Sequence, residues 1–200
     1  AARTTEEAAH GVPLVDGDLL AHLLPTGRDR QSKQKRQALF KQWDPNGNRV
    51  LSLAEVDDGL EKLVGLGLPK PVINRAFHAA RDMAPPLHEW CNDYVDPDEF
   101  RLLFVYLRFY LQVWHCFAQM DKVSDRRLTI EEFRDSFPFF VRSTGVAATK
   151  VSTAGPEQIF SQMDLNHGGV VLFDEFAHWV LLHGGKRFAD AGASCDAEAL

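Results

Sequence analysis

The stretch Asp164–Leu165–Asn166–His167–Gly168–Gly169–Val170–Val171–Leu172–Phe173–Asp174–Glu175 decides how this chain folds. A loop that wraps a hard cation needs side-chain oxygens at positions 1, 3 and 5, glycine at 6, a backbone carbonyl at 7, an aliphatic residue at 8 and a bidentate glutamate at 12. Asp164, Asn166, Gly169, Val170, Val171 and Glu175 stand at positions 1, 3, 6, 7, 8 and 12. Position 5 is Gly168 and position 9 is Leu172, neither with a side-chain oxygen. Calcium takes six to eight oxygens, so water has to complete the shell at both places.

The pattern repeats. In Asp44 to Glu55, residues Asp44, Asn46, Asn48, Val50, Ser52 and Glu55 supply nearly the whole oxygen set, with Leu51 as the aliphatic, but position 6 is Arg49. A non-glycine residue in the left-handed region costs roughly 1 kcal/mol or more. In Asp121 to Glu132, only Asp121, Asp125, Leu128 and Glu132 fit. Val123 removes a ligand, and Lys122, Arg126 and Arg127 put positive charge where a dication would sit. No calcium is expected there; Arg126 or Arg127 pairing with Asp121 or Glu132 is the expected way to hold that loop shut. Each loop follows an aromatic-bearing helical pattern: Phe40 and Trp43, Phe117 and Met120, Phe160 and Met163.

Such helix–loop–helix units are EF-hands, and they fold in pairs. Three imply a fourth, and Tyr94–Val95–Asp96–Pro97–Asp98–Glu99–Phe100 reads as the back half of a loop, with Val95 at position 8 and Glu99 at position 12. Its front half, Arg81 to Asp93, carries Pro85, Pro86 and Trp90 and no acidic ladder. This second hand has lost its metal site and keeps a pairing role with loop 44–55. Helices are expected near 15–24, 31–43, 53–64, 70–82, 97–120, 130–142, 156–163 and 173–184, with Ser143 to Gly155 a flexible loop. The fold class is all-α: four calmodulin-like EF-hands in two paired lobes joined by a long central helix. The lobes are 15–110 and 111–185, between flexible tails at 1–14 and 186–200.

With those residues in view, the chain resembles the flagellar calcium-binding proteins of trypanosomatids, the calflagins. Leu19–Leu20–Ala21–His22–Leu23–Leu24–Pro25 and Lys35 through Asp44 look like that family's helix, proline, basic helix and first loop. Phe100 to Tyr110 looks like its aromatic central helix, and Gly169 to Trp179 like the exit of its fourth hand. The likeness spans about residues 18–182. It implies four EF-hands, calcium sensing and a flagellar membrane address. The family also carries metal in its C-terminal pair, where Val123 and Arg126 stand against it here. Its acylation signal, Met-Gly with a nearby Cys, has no counterpart in Ala1–Ala2–Arg3–Thr4, so either the true start lies upstream or the anchor is absent.

Composition narrows the rest. A chain of 200 residues with 45% hydrophobic residues can bury a core, and a net charge of −6 argues against nucleic-acid binding. The three cysteines, Cys91, Cys116 and Cys195, do not form a disulfide framework. His88 with Cys91, and His115 with Cys116, lack a matching second pair for zinc. No phosphate loop or nucleophile–base pair is present, so no enzyme is expected. Phe100 to Phe117 is apolar but interrupted by Arg101 and Arg108, which argues against a membrane span.

Two functional readings follow. In the first, the protein binds calcium weakly in a flagellum, cilium or the cytoplasm. Asp164, Asn166, Val170 and Glu175 form the leading site, and Asp44, Asn46, Asn48, Val50, Ser52 and Glu55 the weaker one. In the second, it is a calcium-independent adaptor of the axoneme that holds partner helices or microtubules. A flagellar, axonemal or microtubule-associated protein partner is expected in either case. Lys33, Lys35 and Arg36 lie in a basic cluster that reads first as a solvated helix face and second as a surface for acidic headgroups or for tubulin.

Overall fold

The computed structural model describes residues 23–65, 67–82, 93–146 and 148–184, with residues 148–153 as backbone only. Seven helices occur among them: α1 (Arg30–Trp43), α2 (Leu53–Val64), α3 (Lys70–Asp82), α4 (Phe100–Met120), α5 (Ile130–Thr144), α6 (Ala148–Met163) and α7 (Phe173–His183). Two short strands, β1 (Arg127–Leu128) and β2 (Val171–Leu172), complete the order. The fold is all-α with EF-hand geometry. The chain divides into two compact units between Tyr110 and Leu111, and α4 runs through the division.

The N-terminal unit contains hands one and two. Position 8 of the first loop, Leu51, forms an antiparallel bridge with Val95, the residue assigned to position 8 of the second. Each backbone N–H donates to the other's carbonyl, at 2.8 and 2.9 Å. The core is aromatic: Trp43 and Phe100 meet edge to face at 5.2 Å, and Phe104 lies 4.6 Å from Phe100. Gly59 makes room for this, since a Cβ there would lie 2.3 Å from the Trp43 ring. Its smallness lets α2 approach α1.

The C-terminal unit contains hands three and four. Leu128 and Val171, both at position 8, face each other in the β1–β2 pair, flanked by Arg127 against Leu172. Behind the pair, Phe117, Phe133, Phe140 and Phe176 are fully buried. Phe133 contacts Phe140 at 5.0 Å, and Phe176 contacts Phe117 at 5.5 Å.

Two expectations change. The segment 143–155 is not all loop: α6 already runs from Ala148 and breaks at Gly155, whose φ of 61° and ψ of 171° leave the helical region. Pro156 restarts it, in the position where a missing N–H costs nothing. The central helix begins at Phe100 rather than 97, after a turn in which the Asp96 carboxylate accepts from the N–H groups of Asp98 and Glu99. Most of the helix expected at 15–24, the tails and the front half of the second loop lie outside the described residues. Among the described residues no helix is long and apolar enough to cross a membrane.

Candidate metal centre

The three fully described loops share one backbone. Positions 4 and 6 are left-handed in each: Gly47 and Arg49 at φ 71° and 66°, Ser124 and Arg126 at 64° and 66°, His167 and Gly169 at 56° and 79°. A non-glycine residue held there costs roughly 1–2 kcal/mol. The first carboxylate of the loop offsets that cost. The position 6 N–H donates to its Oδ2, from Arg49 to Asp44 at 3.0 Å, Arg126 to Asp121 at 2.8 Å and Gly169 to Asp164 at 2.9 Å. The position 5 N–H donates to its Oδ1, at 3.2, 3.3 and 2.9 Å. Sequence reading assigned the strain to position 6 alone; position 4 shares it.

The last carboxylate is held as consistently. In each loop its Oε2 accepts the position 9 N–H, from Ser52, Thr129 and Leu172 at 2.8, 3.0 and 2.9 Å. In loops 121–132 and 164–175 its Oε1 accepts from positions 2 and 3. Lys122 and Val123 donate to Glu132, and Leu165 and Asn166 donate to Glu175, at 3.1 and 3.3 Å in both loops. Loop 44–55 cannot copy this, because Pro45 at position 2 has no N–H. There the Asn46 side-chain amide donates to Glu55 Oε1 at 2.8 Å instead.

These bonds bring the proposed ligands together. Asp164 and Glu175 are 7% and 9% exposed, whereas Asp44 and Glu55 are half-buried. Asn166 Oδ1 accepts from the Gly168 N–H at 2.7 Å, and a Cβ on Gly168 would lie 2.6 Å from that oxygen. The bare glycine at position 5 is thus occupied by the Asn166 side chain. An ionised carboxylate has about four lone-pair directions. Asp164 spends two on its N–H donors and keeps two; Glu175 spends three, both directions of Oε1 among them, so it faces a cation through Oε2 and becomes bidentate only when the Leu165 or Asn166 N–H lets go. The donor set Asp164, Asn166, Val170 carbonyl and Glu175 is all oxygen, which suits a hard cation such as calcium. In loop 44–55, Asp44, Asn46, Asn48, the Val50 carbonyl, Ser52 and Glu55 also fit by type. The Asn48 oxygen accepts from Val50 N–H, and the Ser52 hydroxyl is engaged as the N-cap of α2.

Loop 121–132 does not fit. Val123 is 74% exposed at position 3. Burial alone would raise the Glu132 pKa, but N–H bonds from Thr129, Val123 and Lys122 and the Thr129 hydroxyl hold it below the usual value. The loop closes on its own N–H groups, and the bond from Arg126 is donated by its backbone rather than its guanidinium. Thr129, which sequence reading passed over, caps α5 and completes a reciprocal box with Glu132. The spacing of threonine three before glutamate was the available signal.

In the second hand, Asp96 and Glu99 are 6% and 5% exposed. Burial first, then the charges of Asp96 and Asp98, push the Glu99 carboxyl up to about 7 against the pull of the Asp96 N–H and Arg81. Among the described residues no three His, Cys, Asp or Glu side chains cluster to hold a metal ion. Loops 44–55 and 164–175 offer only two such ligands each, the rest being amide, hydroxyl and carbonyl oxygens. His88 and Cys91 lie outside the described residues, and Cys116 is buried, its thiol pushed up to about 12 by desolvation.

Of the basic cluster, Lys33 and Lys35 are exposed. Arg36 is not free: its guanidinium donates to the carbonyls of Pro25 and Gly27 at 2.7 and 2.6 Å.

The family model described as the FCaBP EF-hand domain matches residues 20–107. Flagellar calcium-binding protein TB-24 of Trypanosoma brucei brucei is 34% identical over 164 residues, covering 79% of this chain and 72% of that protein. Flagellar calcium-binding protein TB-44A of the same organism has the same identity, but the chain spans only 39% of its length. The flagellar calcium-binding protein of Trypanosoma cruzi is 29% identical over 161 residues, 78% of this chain and 74% of that one. A solved homologue of programmed cell death 6 protein from Leishmania major Friedlin superposes with a TM-score of 0.37 at 17% identity, covering 78% and 75% of the two chains, too slight a likeness to carry an argument. On the level and reach of identity to TB-24, the chain belongs to the flagellar calcium-binding protein family, the calflagins.

Proposed function

We propose that this protein binds calcium in a flagellum or cilium, with Asp164, Asn166, the Val170 carbonyl and Glu175 as the principal site. The observation that carries this reading is the pair Asp164 and Glu175, both nearly buried and both oriented by loop N–H groups. Asp44, Asn46, Asn48, Val50, Ser52 and Glu55 form a second, weaker site, because Arg49 strains position 6 and Asp44 and Glu55 are less buried than Asp164 and Glu175. The relatives' names support calcium as the ligand and the flagellum as the location. The same kinship makes the protein a binding protein rather than an enzyme. A calcium ion, when bound, supplies the positive charge that offsets the two loop carboxylates. Glu175 sits in the first turn of α7, so any displacement of its carboxylate moves that helix and the apolar face it covers. The two pairs of hands, 15–110 and 111–185, are proposed to act as calmodulin-like lobes on the helix they share.

Calorimetric titration tests the site. Wild-type heat that disappears in Glu175→Gln is the expected outcome; no heat up to about 1 mM calcium, the weak end of EF-hand affinity, removes the proposal.

One observation favours a second reading. Loop 121–132 has no ligand at position 3 and closes both of its carboxylates on its own N–H groups, as a calcium-independent scaffold for partner helices or microtubules would. Under either reading, the exposed Lys33 and Lys35 are the proposed contact for anionic membrane or an acidic protein surface. Charge reversal of these two, leaving Arg36 intact, is expected to reduce pelleting with anionic vesicles or microtubules; unchanged pelleting removes the contact.

A further inference from the structure

Three arginines from two helices converge on one short segment of the N-terminal unit. Arg36 of α1 bonds the carbonyls on either side of Thr26. Arg101 of α4 reaches the Thr26 carbonyl at 3.5 Å, and Arg108, two turns further on, donates to the Thr26 hydroxyl oxygen at 3.1 Å. All three arginines are half-buried, as is Thr26. Among the described residues, none of the three is ion-paired; their acceptors are neutral oxygens. The opposing charge felt by Arg36 is that of Asp29, whose carboxylate already accepts from the Ser32 N–H and hydroxyl at the start of α1. Burial and then the charge of Arg101 hold the Arg36 pKa below its usual value.

Concentrated positive charge around one neutral hydroxyl is what a doubly charged, three-oxygen group would satisfy. We propose that Thr26 is a phosphorylation site whose phosphate is clamped by Arg36, Arg101 and Arg108. The Thr26 oxygen attacks the terminal phosphorus of a nucleoside triphosphate held by a kinase. The new Oγ–P bond replaces the bond to the bridging oxygen, which leaves with its electron pair on the diphosphate, and the hydroxyl proton passes to the kinase's base. Thr26 is suited to this by its place in a non-helical segment that opens onto the exposed Arg28, Asp29 and Arg30. The consequence is mechanical. α1 leads into the first loop and α4 leads out of the second, so a phosphate bonded from both ties the two hands together.

The test places phosphothreonine at position 26 of the full chain by genetic encoding, in calcium-free buffer. Its phosphate is expected to titrate below the value of about 6 for a free phosphomonoester in the 31P spectrum. It should also resist a broad-specificity phosphatase about tenfold better than a peptide spanning Thr26, and raise the melting temperature by about 4 °C or more. Arg101→Gln with Arg108→Gln should abolish all three effects. A phosphate that titrates and is removed as in the peptide, or that lowers the melting temperature, overturns the clamp; this comparison uses the unsubstituted arginines and stands even where the double variant does not fold. Mass spectrometry of protein from its own cells, grown with phosphatase inhibitor, is expected to find the modified peptide. Thr26 found only unmodified there overturns the site. None of these readouts depends on calcium binding.

Discussion

At the scale of single residues, two positions set the chemistry of the loops more than the tally of carboxylates does. Gly168 leaves position 5 open, and the Asn166 oxygen turns onto its N–H. Gly168→Asp adds a third carboxylate at the cost of moving Asn166, whose oxygen is a flexible side-chain atom. Calcium affinity of this loop is expected to tighten by about tenfold, or roughly 1.4 kcal/mol, in the same calorimetric titration. Glu99 is the other. Its carboxyl is raised from 4.5 to about 7, mainly by burial, so the folded state favours the protonated form. Its contribution to stability is therefore full below pH 4.5 and is lost as the pH rises through about 7. Denaturant midpoints across that window should fall in wild type, and Glu99→Gln should flatten the slope.

At the scale of elements, capping separates the fourth hand from the others. α2 and α5 begin with Ser52 and Thr129, whose hydroxyl oxygens accept from Glu55 and Glu132 N–H at 3.3 Å in both, while the glutamates bond back. α7 begins with Leu172, which has no oxygen to offer and is 41% exposed. Leu172→Ser should stabilise the C-terminal unit by about 1 kcal/mol, and Ser52→Ala should destabilise the N-terminal unit by a similar amount, both read by urea unfolding. The β1–β2 pair is unaffected by the first change because its bonds are made by the backbone. These caps were legible in the sequence, since serine or threonine three residues before glutamate is a local signal. The helical start of α6 at Ala148 was not: its serines, threonines and alanines have no apolar periodicity to distinguish a helix from a loop.

At the scale of the whole molecule, each unit rests on an aromatic core whose contacts join distant parts of the chain. Gly59→Ala pushes a methyl into the Trp43 ring and is expected to cost about 1–3 kcal/mol, seen as a lower unfolding midpoint for the N-terminal unit. The loop spacings and the paired positions Leu51 and Val95 could be read from the chain because each is set within a dozen residues or by a repeat of that pattern. The oxygen types of the candidate site were equally legible. Three features were not. The diversion of Asn46 onto Glu55 depends on a missing N–H at Pro45 and on the folded path of the loop. The near-neutral titration of Glu99 depends on what buries it. The convergence of Arg36, Arg101 and Arg108 on Thr26 spans up to 82 residues. Local spacing dictates which atoms a loop can gather, because a dozen residues share one backbone path. Burial and long-range charge are created only when separate helices pack, so only the tertiary structure decides them.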